Sequence, residues 1–165
     1  MKSILKYPED SLEILGLINQ LKQDNYVIVF TNGVFDLLHV GHLKVLNAAS
    51  KEGDIVIVGL NSDKSVKKLK GPDRPIINQE DRSNILLNLK CVDYVILFDD
   101  SSVYDLVNFI KPDVLVKGGD YCLHQVVAYE ILQSYGGKVV LVPTEESRST
   151  TRVIEDVILK SGSRL

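Results

Sequence analysis

Cysteine is scarce in this chain. There are two, Cys91 and Cys122, and their spacing matches no zinc site. Two thiols make no disulfide framework, so a reducing compartment is the simpler expectation. Positive charge is not in excess either. The formal net charge is −3 and the sequence pI is about 5.6. A general binder of nucleic acid or anionic membrane draws its affinity from surplus Lys and Arg, so both classes are disfavoured. The opening segment, MKSILKYPEDSLEIL, spreads its charges and lacks a long apolar core. It reads as neither a secretory signal nor a membrane span, and a cytoplasmic protein is expected. Repeats, low-complexity tracts and linkers are missing. So are a Walker A loop, a G-x-G-x-x-G after a strand and a hydrolase elbow, which argues against P-loop kinases, dinucleotide oxidoreductases and serine hydrolases.

What is present is a regular alternation. At 165 residues and 45% hydrophobic content, the chain is expected to form one domain, 1–165, with a substantial core. Apolar runs rich in Val and Ile predict five strands, at Val27–Thr31, Asp54–Leu60, Tyr94–Phe98, Val114–Lys117 and Lys138–Val142. Between them lie helical patterns at Val40–Lys51, Gln79–Leu89, Val103–Ile110 and Val126–Tyr135. Another, Thr150–Leu159, follows the last strand, and Ser11–Gln23 belongs to an N-terminal helical extension, 1–24. Strands alternating with helices predict an α/β fold of Rossmann-like type, a five-stranded parallel sheet flanked by helices. Ligands of such sheets bind at the carboxyl ends of strands near the topological switch point. Three polar segments fall at such ends: the stretch from Thr31, then Asn61-Ser62-Asp63, and Lys117-Gly118-Gly119-Asp120.

The richest is TNGVFDLLHVGH, Thr31 to His42. It joins the first predicted strand to a helix. A helix N-terminus offers unpaired N–H groups and the positive end of the macrodipole, which suits phosphate. His39 and His42 are three apart and share a face in a helical first turn. Beside those N–H groups they make a compact cationic site of the kind a leaving pyrophosphate needs. Gly41 is costly within a helix, which fits a close approach of ligand to backbone. Gly33 fits a turn needing positive φ or close approach, although an ordinary turn glycine reads the same. Asp36 would orient an imidazole or cap the helix. His124, alone in a polar stretch, carries no role.

Lys67, Lys68 and Lys70 precede Gly-Pro-Asp-Arg-Pro, an exposed loop that could close over a triphosphate. A solvated basic face explains the same run. Arg82, after Gln79-Glu80-Asp81, reads as an exposed helix arginine. Gly118 and Gly119 would let a base or ribose approach, and Asp120 could accept from hydroxyls or hold Mg²⁺. Ser149, Thr150 and Thr151 form a natural N-cap, which is also a second phosphate site, and Arg148 adds a fork of donors.

The H-x-G-H of His39 to His42, with Ser149-Thr150-Thr151, resembles the cytidylyltransferase-like nucleotidyltransferase superfamily over nearly the whole chain. Within it, FTNGVFDLLHVGH, GLNSDKSVKKLKGPDRPI, LVKGGDY and RSTTRVI are most similar to heptose 1-phosphate adenylyltransferases, stand-alone or as the nucleotidyltransferase half of a bifunctional heptose kinase/adenylyltransferase. The resemblance implies that ATP, with Mg²⁺ on its phosphates, and a sugar 1-phosphate give an ADP-sugar for surface polysaccharide, with a separate kinase upstream. It implies catalytic roles for His39, His42 and Lys70. Nucleotide contacts would come from Thr31, Asn32, Gly33, Phe35, Gly41, Asn61, Asp63, Arg82, Lys117, Gly118, Asp120, Ser149, Thr150 and Thr151. Asp36 and Arg148 are candidates for substrate contact. It also favours a homodimer. Glycerol-3-phosphate cytidylyltransferases share the H-x-G-H and Ser-Thr-Thr, but usually carry Thr where Val34 stands and Arg where Thr144 follows Pro143. A cytidylyltransferase acting on glycerol 3-phosphate or an amino-alcohol phosphate is the first alternative. A nucleotide-binding module without turnover is the second.

Overall fold

The computed structural model describes residues 2–99, 103–119, 122–143 and 150–162. Six strands form one parallel sheet: β1 (Ser3–Tyr7), β2 (Ile28–Gly33), β3 (Ile55–Asn61), β4 (Tyr94–Phe98), β5 (Val114–Gly118) and β6 (Lys138–Val142), in the order β1-β4-β3-β2-β5-β6. Helices α1 (Ser11–Gln23), α2 (Val40–Ala49), α3 (Asp63–Lys70), α4 (Gln79–Leu87), α5 (Tyr104–Ile110), α6 (Tyr129–Ser134) and α7 (Thr150–Gly162) complete the described elements, with a short 3₁₀ turn at Leu123–Gln125.

The pleat sorts the apolar residues by parity. On β2, Ile28 and Phe30 join Ile57, Ile96 and Leu115 on one face, under α1, α5 and α6. Val29 joins Val56, Val58, Val95 and Val116 on the other, under α2 and α4. Helix α1 buries Ile14, Ile18 and Leu21, spaced four and three apart as an amphipathic stripe requires. Both faces of the central strands are covered, so their sequences read as unbroken apolar runs. An aspartate stands just before β3, β5 and β4 in turn. Asp54 accepts from Val27 N, Asp113 from Ile28 N and Asp93 from Val56 N, each at 2.8 Å. These carboxylates satisfy N–H groups at the starts of neighbouring strands.

The sixth strand corrects the expected count of five. Residues 3–7 leave the expected helical extension and pair with β4, from Ser3↔Tyr94 to Tyr7↔Phe98. As a short edge strand, β1 buries only Leu5 among its five residues, so its sequence carries no strong apolar signal. Helix α3 is the second difference. Its DKSVKKLK run buries Ser65 and Val66 alone. The basic residues therefore stand on a helix and not on a loop, with Lys67, Lys68 and Lys70 in its last turn, where they complement the negative end of the dipole. Helix α6 also begins later than expected, at Tyr129, after Ala128 with φ 71°.

Candidate active site

Strand β2 lies between β3 and β5. The chain builds outward from β2 through β3 and β4, then crosses back to β5 on its other side. This is the switch point of the sheet, where loops on either side of a crevice diverge. A cavity of about 400 Å³ opens there, at the carboxyl ends of β2 and β5 and the first turns of α2 and α7.

His39 is the N-cap of α2, with φ −140° and ψ 170°. Its Nδ1 accepts from Gly41 N at 3.1 Å, and His42 Nδ1 accepts from His39 N at 3.4 Å. The two imidazoles thus make a reciprocal cap, each satisfying an N–H that the helix leaves unpaired. Because both Nδ1 atoms accept, each neutral ring carries its proton on Nε2, its free edge. The rings lie 3.8 Å apart, centroid to centroid, and Phe35 packs 5.1 Å from His42. Burial lowers the pKa of His39. Burial and then the neighbouring His39 push His42 down to about 4. The resting pair is therefore neutral, which corrects the expectation of a cationic histidine site. The pair offers two Nε2–H donors at the start of α2, and cations contributed by other elements stand beside them.

Those cations are Lys70 at the end of α3, Arg74 in the following loop and Lys117 on β5, all lining the cavity. Lys117 Nζ donates to Asn32 Oδ1. Thr150 and Thr151 line it from the start of α7, and Thr150 Oγ1 donates to Leu37 O at 3.3 Å. That bond ties α7 to the loop ahead of His39. The two histidines and the threonines, 111 residues apart from His39 to Thr150, therefore share one cleft. Thr31, Asn32, Gly33, Phe35, Asp36, Gly41 and Gly118 line it too. Asp120, Arg148 and Ser149 lie outside the described residues.

Gly33 does not supply the positive φ. Phe35 does, with φ 48°, while a Cβ on Gly33 would meet the Phe35 ring at 3.1 Å. Asp36 neither caps α2, a position His39 holds, nor bonds an imidazole. Its buried carboxylate accepts from Arg74 Nε at 2.7 Å, Ile76 N at 2.9 Å and Ile77 N at 2.9 Å. Burial works to raise its pKa, but the Ile77 and Ile76 N–H groups and Arg74 outweigh it, so the net shift is downward. Asp36 thus clamps the loop that follows Lys70 onto the turn between β2 and α2.

Arg82 is the largest departure from the expected exposed helix arginine. It is 1% exposed. Its donors reach Val34 O, Ile77 O at 2.9 Å and Asp63 Oδ1 at 2.7 Å. Asp63 and Asn61 are likewise away from the cavity wall, with Asn61 Nδ2 donating to Ser65 Oγ at 2.8 Å. Arg82, Asp63 and Asn61 support the site from behind. Arg74 is a cleft residue that sequence reasoning passed over. The signal available was its place between two prolines beside the lysine run.

Asp36→Asn is expected to lose about 2 kcal/mol of stability at neutral pH, since an amide returns poor acceptors to three donors. The folded pKa of Asp36 lies below its unfolded value near 3.8. Its contribution is therefore complete above that value and fades as pH falls through the folded pKa. Urea titrations at pH 7 and pH 3 check this. The wild-type advantage should shrink at the lower pH.

A model of the cytidylyltransferase-like family matches residues 30–156, a span that holds the cleft's described walls. The chain belongs to that family. The bifunctional protein HldE of Geobacter sulfurreducens is 49% identical over 153 residues, 92% of this chain and 31% of that protein. HldE of Geotalea uraniireducens is 52% identical over 82% of this chain and 27% of its own length. The chain thus spans about 30% of the length of the curated relatives it matches. Among solved structures, a lipopolysaccharide core biosynthesis protein of Thermoplasma volcanium has 29% identity and a TM-score of 0.57, over 73% of this chain and 97% of that one. Pantoate–β-alanine ligase of Francisella tularensis, at 18% identity and TM-score 0.60 over 90% of this chain and 69% of that one, shares the fold.

Proposed function

We propose that this chain is a sugar-phosphate adenylyltransferase, joining ATP to heptose 1-phosphate with release of pyrophosphate. The observation that carries this reading is the reciprocal imidazole cap of α2, with both Nε2–H edges free, in one cleft with Lys70 and the first turn of α7. Such a cleft sets donors from several elements around one space, as a triphosphate whose terminal phosphates depart requires. The family membership and the HldE relatives support the reaction class, and the motif strings quoted above favour the adenylyl and heptose specificity.

In the reaction, an oxygen of the sugar phosphate attacks the α-phosphorus in line. The bond from that phosphorus to the bridging oxygen breaks, and pyrophosphate leaves with the electron pair. The attacking oxygen is already anionic near neutral pH, so no general base is required. What remains is positioning and stabilisation of charge. The free imidazole N–H donors and Lys70 are assigned to the phosphates that depart, and the α7 threonines to the same chain of phosphates. Mg²⁺ would arrive on ATP, as part of the substrate, and neutralise its charge.

The reading extends to the whole chain as one nucleotidyltransferase domain, as a homodimer in the cytoplasm, without nucleic-acid or membrane partners. The acidic balance supports the absence of polyanion binding, and no described helix is long and apolar enough to cross a membrane. Pyrophosphate release measured across the four nucleoside triphosphates, crossed with heptose 1-phosphate, glycerol 3-phosphate and an amino-alcohol phosphate, tests the proposal. Turnover is expected only with ATP and the sugar phosphate. Turnover with CTP and glycerol 3-phosphate would replace the reading by a cytidylyltransferase. ATP binding without turnover on any acceptor would leave a non-catalytic module.

A further inference from the structure

The ladder between β2 and β5 is short. It pairs Val29↔Val114 and Phe30↔Leu115 and stops. On its other side β2 stays paired with β3 as far as Gly33↔Leu60, and β5 stays paired with β6 as far as Gly118↔Val142. The two strands therefore part just where the cleft opens. Asn32 and Lys117 are each two residues beyond the last pair, so they project from the same face of the sheet. Their side chains bridge the gap, Lys117 Nζ donating to Asn32 Oδ1.

This is an unusual setting for a lysine. Asn32 is a neutral acceptor, and Lys117 makes no ion pair among the described residues. The charged or titratable groups facing the cleft are His39 and His42 from α2, Asp36 after β2, and Lys70 and Arg74 from α3 and its following loop. Asp36 is taken by Arg74 and two N–H groups, and β6 sets Leu141 beside Lys117 in register. Among the described residues no carboxylate pairs with the ammonium; the neutral Asn32 Oδ1 accepts from it. Burial lowers the amine's pKa to about 8. The neutral amine is therefore far more populated near pH 8 than in an ordinary lysine. A desolvated neutral amine is a nucleophile.

We propose that Lys117 is an acylation site for acyl phosphates, a small electrophile whose phosphate the cleft would hold beside the amine. The proposal rests on the phosphate-binding character of the cleft described above. The neutral Nζ attacks the carbonyl carbon of the acyl phosphate. A C–N bond forms, the carbonyl C–O bond to phosphate breaks, and inorganic phosphate leaves with that electron pair. The proton lost from nitrogen passes to solvent or to the departing phosphate. The product amide carries no charge and has lost donors that a bound triphosphate would use. Acylation thereby switches the cleft off.

The test treats the full chain with acetyl phosphate at pH 8 and reads site occupancy over time by peptide mass spectrometry. Lys117 is expected to acetylate about tenfold or more faster than the exposed Lys44 and Lys51. Its rate should rise with pH and level off above pH 8, and inorganic phosphate should slow Lys117 alone. An acetyl N-hydroxysuccinimide ester, which has no phosphate, should show a weaker preference for Lys117. Acetylation of Lys117 no faster than of Lys44 and Lys51 would overturn the proposal. So would an equal preference with the succinimide ester, or no protection by phosphate. Site occupancy is read whether or not the chain turns over ATP, so this inference and the assignment of the reaction fail separately.

Discussion

His42→Ala is expected to lower pyrophosphate release on the order of 10²–10³-fold, the usual cost of one positioned donor aimed at developing charge. The loss should fall mainly on kcat, because the interaction strengthens as the leaving group gains charge. The ring also accepts from His39 N at 3.4 Å and packs on Phe35 and His39, so a modest loss of stability accompanies it. His42→Asn separates the two effects, since an amide can still accept at the cap. Recovery of stability without recovery of kcat is the expected result. Turnover near wild type in the alanine variant would remove His42 from the mechanism.

The same substitution has a signature in pH. Burial and the adjacent imidazole hold the His42 pKa at about 4, below its ordinary 6.5. The unfolded chain therefore binds the extra proton first. Stability is complete above about pH 6.5 and declines as pH falls toward 4, by on the order of 2–3 kcal/mol from this one group. His42→Ala should flatten that stretch of the stability curve, measured by urea unfolding between pH 7 and pH 4.5. Bound triphosphate should oppose the decline, because phosphate beside Nε2 favours the protonated ring.

Arg82→Met is expected to have the largest effect on stability, about 3 kcal/mol. The guanidinium is fully buried and bonds Val34 O, Ile77 O and Asp63. Methionine fills much of the volume but leaves two buried carbonyls without their donors. Asp63, whose side chain is 31% exposed, recovers some solvation, which keeps the cost at the lower end for a broken buried pair. The melting temperature should fall by roughly 6–12 °C. Activity at a temperature where the variant stays folded should fall less than in His42→Ala, since Arg82 does not line the cleft. A shift below about 1 kcal/mol would show that the three bonds contribute little in solution.

Much of the site could be read from the chain because its parts are local. His39 and His42 come together through helix periodicity, with Gly41 in the backbone between them, all within one turn of α2. Strands β2 to β6 were legible because apolar runs bounded by polar ends leave few alternatives. Strand β1 was not, since an edge strand needs only one buried residue and its partner lies some ninety positions away. Asp36 and Arg82 were misread for a related reason. The sequence around Asp36 points to α2 and that around Arg82 to a solvated helix face, whereas their partners, at 74–77 for Asp36 and at 34, 63 and 77 for Arg82, come from elsewhere in the fold.

The order of residues by itself determined the alternation of strand and helix, the imidazole pair at the start of α2 and the family to which the chain belongs. These follow from spacing within short segments, where covalent geometry fixes which side chains share a face. The tertiary structure alone decided the neutral state of the histidines, the clamp from Asp36 to the loop after Lys70, and the gap between β2 and β5 that Lys117 spans. Charge state and long-range pairing depend on desolvation and on groups brought together across the sheet, and neither quantity is encoded in any one stretch of chain.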